Sequence, residues 1–214
     1  MLKIWGRKSS INVQKVLWAA AELGIAFENP QVGGPFGKTD TPEYSKMNPN
    51  RLVPAIDDNG FVMWESSAIV RYLANVYGKG KMAPADAKQL AVADQWTDWS
   101  MTTVYPELIP GLFAQLIRVP AKDRNPADLA AKAKRAGERL TMLDAHLDGR
   151  SFIAGQELTF ADVIVGSLMY RYFTMPIERP MLPHVEAWYA RLAERKPYQD
   201  NVMLEWESMK VPGA

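Results

Sequence analysis

The sequence predicts an α/β N-terminal domain followed by an all-α C-terminal domain. Three observations predict it. Strand-like and helix-like apolar patterns alternate through the first 80 residues. An Asn59-Gly60 pair separates two short apolar runs, which is the strongest short-range hairpin signal. From residue 87 onward apolar positions recur only at helical steps of three and four.

The elements follow in order. Leu2 to Trp5 alternates apolar and polar residues and reads as a strand, and residues 6–10 read as a polar turn. Val13, Val16, Leu17, Ala20 and Leu23 then trace one face of a helix that Gly24 ends. Ile25 and Phe27, with Val32 a possible third member, suggest a second strand; residues 33–50 form a polar loop rich in Gly, Pro and Thr. Val53-Pro54-Ala55-Ile56 looks like a third strand, and Phe61 to Trp64 a fourth. Glu65-Ser66-Ser67, offering a Ser cap, leads into a helical face of Ile69, Tyr72, Leu73 and Val76. The order β-α-β-loop-β-β-α implies one parallel pairing and one antiparallel hairpin. Residues 78–84 read as a linker. Beyond it come a long helical stretch of about 87 to 117 carrying Trp96 and Trp99, and an amphipathic helix over Leu129, Ala133, Ala136, Leu140, Leu143 and Leu147. A late helix follows Pro183.

Composition narrows the chemistry. The 214 residues carry 25 Lys+Arg against 24 Asp+Glu, a formal net charge of +1, which offers no electrostatic case for a nucleic-acid or membrane partner. No apolar run reaches the roughly 20 residues of a membrane span, and MLKIWGRKSS lacks a signal-peptide core, so a cytoplasmic location is expected. There is no cysteine, which removes disulfides, thiolate metal sites and a cysteine nucleophile. His146 and His184 are the only histidines, and no metal is expected. Any thiol chemistry must use a thiol carried by a ligand.

Several positions carry both a structural and a chemical reading. Ser10 precedes the first helix. Its hydroxyl is either an N-cap or a donor to a thiolate held at the positive end of the helix dipole. Ser9 is a weaker competitor for either role, and Asn12 is a second polar group nearby. Pro54 is either a trans proline opening a strand or part of a cis Val53–Pro54 bond that leaves the Val53 backbone free for a peptide-like ligand. Glu65 and Ser66 either cap a helix or hold an amino-acid head group, Ser66 with the helix N–H groups taking the carboxylate and Glu65 the ammonium. Gly37-Lys38-Thr39 is not a phosphate loop: the required earlier Gly position is Val32, and Pro42 stands where the helix should run. Thr159-Phe160-Ala161-Asp162 is a capping-box variant, a folding device whose loss should cost about 1 kcal/mol or more. Most aromatics should be core, with a minority lining a pocket where the two domains meet.

The order of these signals is more specific than any one of them. Ser10 before the first helix, Asn48-Pro49-Asn50-Arg51-Leu52-Val53-Pro54 before the third strand, Glu65-Ser66-Ser67-Ala68-Ile69 at a helix start, then Phe152-Ile153-Ala154-Gly155 and Thr159-Phe160-Ala161-Asp162 resemble the cytosolic glutathione transferase family over essentially the whole chain. Residues 6–16 are similar to bacterial serine-type members of the theta- and zeta-like groups. The resemblance implies a thioredoxin-like glutathione-binding domain at residues 1–80, and a helical domain at 87–214 contributing the electrophile pocket. It implies glutathione as co-substrate, a small electrophilic and largely apolar second substrate, a role in detoxification, and a homodimer. It assigns thiolate stabilisation to Ser10 with Asn12 as rival, the cysteinyl backbone pairing to Val53 before Pro54, the γ-glutamyl group to Glu65 and Ser66, and the glycyl carboxylate to Lys38. Three variants of the family are disfavoured. The first Tyr is Tyr44, there is no Cys, and Ser10-Ile11-Asn12 replaces the Ser-Ser-Cys run of maleylacetoacetate isomerases. Dehalogenation, peroxide reduction, isomerisation or a non-catalytic binding role stay open on the same fold.

Overall fold

The computed structural model describes residues 1–78 and 80–214. The N-terminal part contains β1 (Leu2–Trp5), α1 (Ile11–Glu22), β2 (Phe27–Glu28), α2 (Pro42–Met47), β3 (Ala55–Asp58), β4 (Phe61–Trp64) and α3 (Ser66–Tyr77). Four strands form one sheet in the order β2-β1-β3-β4. β1 runs parallel to β2, and antiparallel to β3 with Ile4 opposite Ile56. β3 and β4 make the expected hairpin, Ala55 opposite Trp64. Its turn places Asn59 at φ 53 and Gly60 at φ 95, the two successive left-handed residues that a tight hairpin turn needs.

Three expectations are corrected here. The third strand begins at Ala55 rather than Val53, because Pro54 has no N–H to give the ladder. The second strand is two residues long. The loop at residues 33–50 contains α2, whose start is set by Pro42: Thr41 Oγ1 accepts the Tyr44 N–H at 3.3 Å, and Pro at the first helical position forfeits only a donor that has no partner there. Pro42 starts a helix rather than forbidding one.

The helical part holds α4 (Ala87–Trp99), α5 (Ala114–Arg118), α6 (Pro126–Leu147), α7 (Phe160–Gly166), α8 (Met169–Thr174), α9 (Pro183–Ala193) and α10 (Lys196–Asn201). The long stretch expected at about 87 to 117 is continuous, but Ser100–Val104 and Glu107–Phe113 are wound as π-helix, the second around Pro110. Such segments are frequent at functional sites. The helices α8 and α10 are too short to show a period in the sequence. Of the linker expected at residues 78–84, Lys79 lies outside the described residues.

The two parts share one core, and α1 is its centre. Every residue from Val13 to Ala20 of α1 is buried. It lies against α3 on one side and α7 and α10 on the other. Trp18 meets Tyr198 edge to face at 4.7 Å, and Arg195 pairs with Glu22. Gly166 lets α7 approach: a Cβ there would stand 2.5 Å from a Leu192 methyl and 3.3 Å from the Trp18 ring. The expected capping box at α7 forms, and goes further than a cap. The buried Asp162 carboxylate accepts the Thr159 N–H at 2.8 Å, the Ile153 N–H at 2.9 Å and the Trp188 indole N–H at 2.9 Å. Through Gly166 and the Trp18 ring, α7 in turn packs against the middle of α1.

Candidate active site

A cavity of about 610 Å³ opens at the N-terminus of α1. One wall comes from the sheet side: Arg7, Ser10, Asn12, Gly33, Arg51 and Val53. The other comes from the helical side: Tyr105, Ile109, Phe113, Ile117, Arg118 and Arg171. Tyr105 and Phe113 are thus the pocket aromatics, whereas Trp96 and Trp99 pack on each other. Clefts of about 940 and 850 Å³ lie elsewhere, and neither is lined by a sequence-predicted site residue.

Ser10 occupies the cap position of α1 with an extended backbone, φ −80 and ψ 123, yet its side chain makes no capping hydrogen bond. Its carbonyl accepts the Val13 and Gln14 N–H groups, while the hydroxyl is uncommitted among the described residues. The plain-cap reading of Ser10 therefore does not describe this helix. The first-turn N–H groups of Ile11 and Asn12 precede those bonds, so the terminus presents donors and positive dipole to the cavity.

Asn12 is differently placed. Its Nδ2 donates to the Tyr105 hydroxyl at 3.3 Å, and its Oδ1 accepts from Lys15 Nζ at 3.0 Å. A lysine ammonium can only donate, so the charged form of Lys15 sets the amide orientation. Ser66 Oγ makes a longer contact to the same Oδ1 at 3.5 Å. Both ends of the Asn12 amide are therefore held by protein, unlike the Ser10 hydroxyl.

Lys15 went unnoticed in the sequence because it falls off the apolar stripe of α1. It is fully buried, beside Met101 Sδ at 3.1 Å and over the Tyr105 ring at 5.0 Å. Burial pushes its ammonium down to about 7, with Glu65 opposing and Arg171 reinforcing. A lysine inside the run Val13 to Ala20 was the available clue. Arg171 was also missed, although a lone charge between Tyr170 and Tyr172 marks it. It reaches from α8 to donate to the Ser9 carbonyl at 2.7 Å, and lies over the Phe113 ring at 4.3 Å. Burial lowers it to about 10, so it stays charged at neutral pH.

The Val53–Pro54 bond is cis. Among the described residues the Val53 N–H and C=O make no hydrogen bond within the chain. The positions before them are fixed by Asn48 Nδ2 and Tyr44 Oη, which both donate to the Leu52 carbonyl at 2.8 and 2.7 Å. Ser66 opens α3 as its first helical residue, and Glu65, not a serine, holds the cap position at φ 75. That left-handed conformation is costly for a residue with a side chain and is concentrated at functional sites. Glu65 is exposed and Ser66 buried; both join the cavity only through the Lys15–Asn12 network. Lys38 is exposed and does not line the cavity; Thr39 and Arg51 stand on that side instead. The structure thus brings Ser10, Asn12 and Val53 into one cavity, sets Glu65 and Ser66 beside it, and leaves Lys38 outside. No group of three or more His, Cys, Asp or Glu side chains arranged to hold a metal occurs among the described residues.

Known proteins share this fold. Residues 9–76 match the glutathione S-transferase N-terminal domain family, and residues 108–196 match the C-terminal domain family. Glutathione S-transferase GstB of Escherichia coli is 32% identical over 206 residues, covering 95% of this chain and 99% of that protein. The theta class glutathione S-transferase of Xanthomonas axonopodis pv. citri, solved with glutathione bound, superposes with a TM-score of 0.90 at 43% identity, covering 95% of this chain and 98% of that one. The Bombyx mori transferase BmGSTD1 superposes with a TM-score of 0.84 at 28% identity over 94% of this chain and 93% of its own. With both domain families matched in order and the fold shared end to end, this chain belongs to the glutathione S-transferase family.

Proposed function

We propose that this chain binds glutathione in the cavity at the start of α1 and ionises its thiol for attack on an electrophilic carbon. The supporting observation is the Ser10 hydroxyl: it sits at a helix N-terminus, caps nothing, and faces the cavity. In this reading the tripeptide lies extended along the Val53 backbone beside Pro54. Its γ-glutamyl end goes to Glu65 and Ser66, its glycyl end toward the loop carrying Lys38, and its sulfur to Ser10. The family relationship supports these assignments, as does the free Val53 backbone. Lys38 is the weakest of them, since Thr39 and Arg51 are better placed.

A free thiol has a pKa of about 8.5 and is mostly protonated at pH 7. A depression of about two units reverses that, and requires about 2.7 kcal/mol of preferential stabilisation of the thiolate. The Ser10 hydroxyl and the first-turn N–H groups of α1 supply it as charge-assisted donors. Asn12, held by Lys15 and Tyr105, keeps the first turn in place. The thiolate then attacks the second substrate, whose body rests on Phe113, Ile109 and Ile117. Both reactants held in one cavity supply the proximity term. The sheet-side residues 1–80 act as the glutathione-binding domain, and residues 87–214 supply the electrophile wall. A homodimer and a cytoplasmic location accompany this reading; no helix among the described residues is long and apolar enough to cross a membrane.

Replacing Ser10 by Ala tests the proposal. The thiolate absorbance of bound glutathione should titrate at higher pH and turnover should fall. An unchanged titration moves the role to Asn12 or to the helix dipole alone. A calorimetric titration showing no heat at millimolar glutathione makes the chain a non-catalytic scaffold.

A further inference from the structure

The charge of the cavity is one-sided. Arg7, Arg51, Arg118 and Arg171 line it, and no carboxylate does among the described residues. The whole chain is nearly neutral, so this concentration is local. Among the described residues, the arginines in ion pairs are Arg71, Arg135 and Arg195, and none of these four is. The Arg7 and Arg118 side chains make no hydrogen bond within the described chain, and Arg171 makes one, to a neutral carbonyl. The arginines also act on each other: burial and then the charge of Arg118 hold Arg7 below its ordinary range, and Arg7 in turn lowers Arg171. Three cations gathered without a counter-ion oppose folding, and a guanidinium fork matches a carboxylate in shape.

Glutathione accounts for only part of this charge. In the reading above its two carboxylates go to Ser66 with the start of α3 and to the Thr39–Arg51 side. Arg7, Arg118 and the buried Arg171 remain, grouped where the β1–α1 loop meets α5 and α8, next to the apolar surface of Phe113 and Ile117. From this juxtaposition we propose that the second substrate is an electrophile bearing a carboxylate, its acidic group held by Arg118, Arg7 and Arg171 and its apolar body against Phe113. The inference rests on the transferase reading and narrows the substrate class. In the substitution it describes, the glutathione sulfur forms the bond to carbon, the carbon–halogen bond breaks, and halide leaves with the electron pair. The thiol proton is lost to water, so the products are thioether, halide and a proton.

The test compares 4-chloro-3,5-dinitrobenzoate with its methyl ester, each rate divided by the uncatalysed rate with glutathione. The acid should be favoured in kcat/KM by tenfold or more. Arg118→Gln, a change at an exposed side chain, should bring the ratio to within about threefold of one, chiefly through KM for the acid. The unreactive 3,5-dinitrobenzoate should compete with the ester in the wild type and lose that effect in the variant. Turnover of both compounds with no preference for the acid overturns this inference and leaves the transferase reading standing. The same holds for a variant that weakens glutathione binding equally with either electrophile, because the arginine would then serve glutathione. Absence of glutathione-dependent turnover with both compounds, together with no glutathione binding, sinks the transferase reading and this inference with it.

Discussion

Two helix starts in this chain look alike in sequence and have opposite fates. Ser10 before α1 and Thr159 before α7 are both hydroxyl residues ahead of an apolar helix. At α7 the terminus is closed: Asp162 gathers donors from Thr159, Ile153 and Trp188 inside the core. At α1 it is left open: the Ser10 hydroxyl caps nothing and faces a cavity. The difference lies in position three of the helix. Asp162 reaches back to its cap residue, while the corresponding Val13 cannot, and packs toward Gly6 instead. A closed terminus contributes to stability. An open one keeps its donors for a ligand.

The largest effect that would break the comparison is at the closed end. Asp162→Ala leaves buried donors without an acceptor, and should lower unfolding free energy by about 3 kcal/mol or more in denaturant titration. Activity per folded molecule should hold; a proportionate loss of activity would mean that α7 shapes the cavity directly. Ser10→Ala should show the reverse pattern. Turnover is expected to drop on the order of 10²-fold, with stability within about 0.5 kcal/mol of the wild type, since no capping bond is lost. A Ser10→Ala variant destabilised like a lost cap would erase the distinction.

A subtler test concerns the support beneath the open end. Lys15 titrates at about 7 when folded and at its ordinary 10.5 when unfolded, because burial disfavours the ammonium. Between those values the unfolded chain binds a proton that the folded chain does not, so stability rises with pH across that window. The rise from Lys15 should be on the order of 1 kcal/mol between pH 8 and 9, measured by chemical denaturation, and absent in Lys15→Met. Smallest is Thr159→Ala, expected to cost about 1 kcal/mol, because Asp162 keeps its other donors.

Much of the fold was legible. The β1–α1–β2 and hairpin–α3 order came from periodicity and Asn59-Gly60, since those patterns are local. The short α2 was hidden because Pro42 reads equally as a breaker and as a first helical residue, and only the Thr41 cap tells them apart. The site was partly legible. Ser10, Asn12 and Val53 could be named because each sits beside a local signal, a helix start or a proline. Arg171 and Lys15 could not be placed, since the contact from Arg171 to Ser9 spans 162 positions and that from Lys15 to Met101 spans 86.

By itself the sequence determined the longer helices and the hairpin, the absence of a thiol of its own, and the two hydroxyl residues at helix starts, because periodicity, composition and capping residues act within a few positions. Tertiary structure alone decided which of the two starts stays open and that four arginines line one cavity without an acid. Burial and charge depend on what the rest of the chain brings near, and no stretch of residues contains that information.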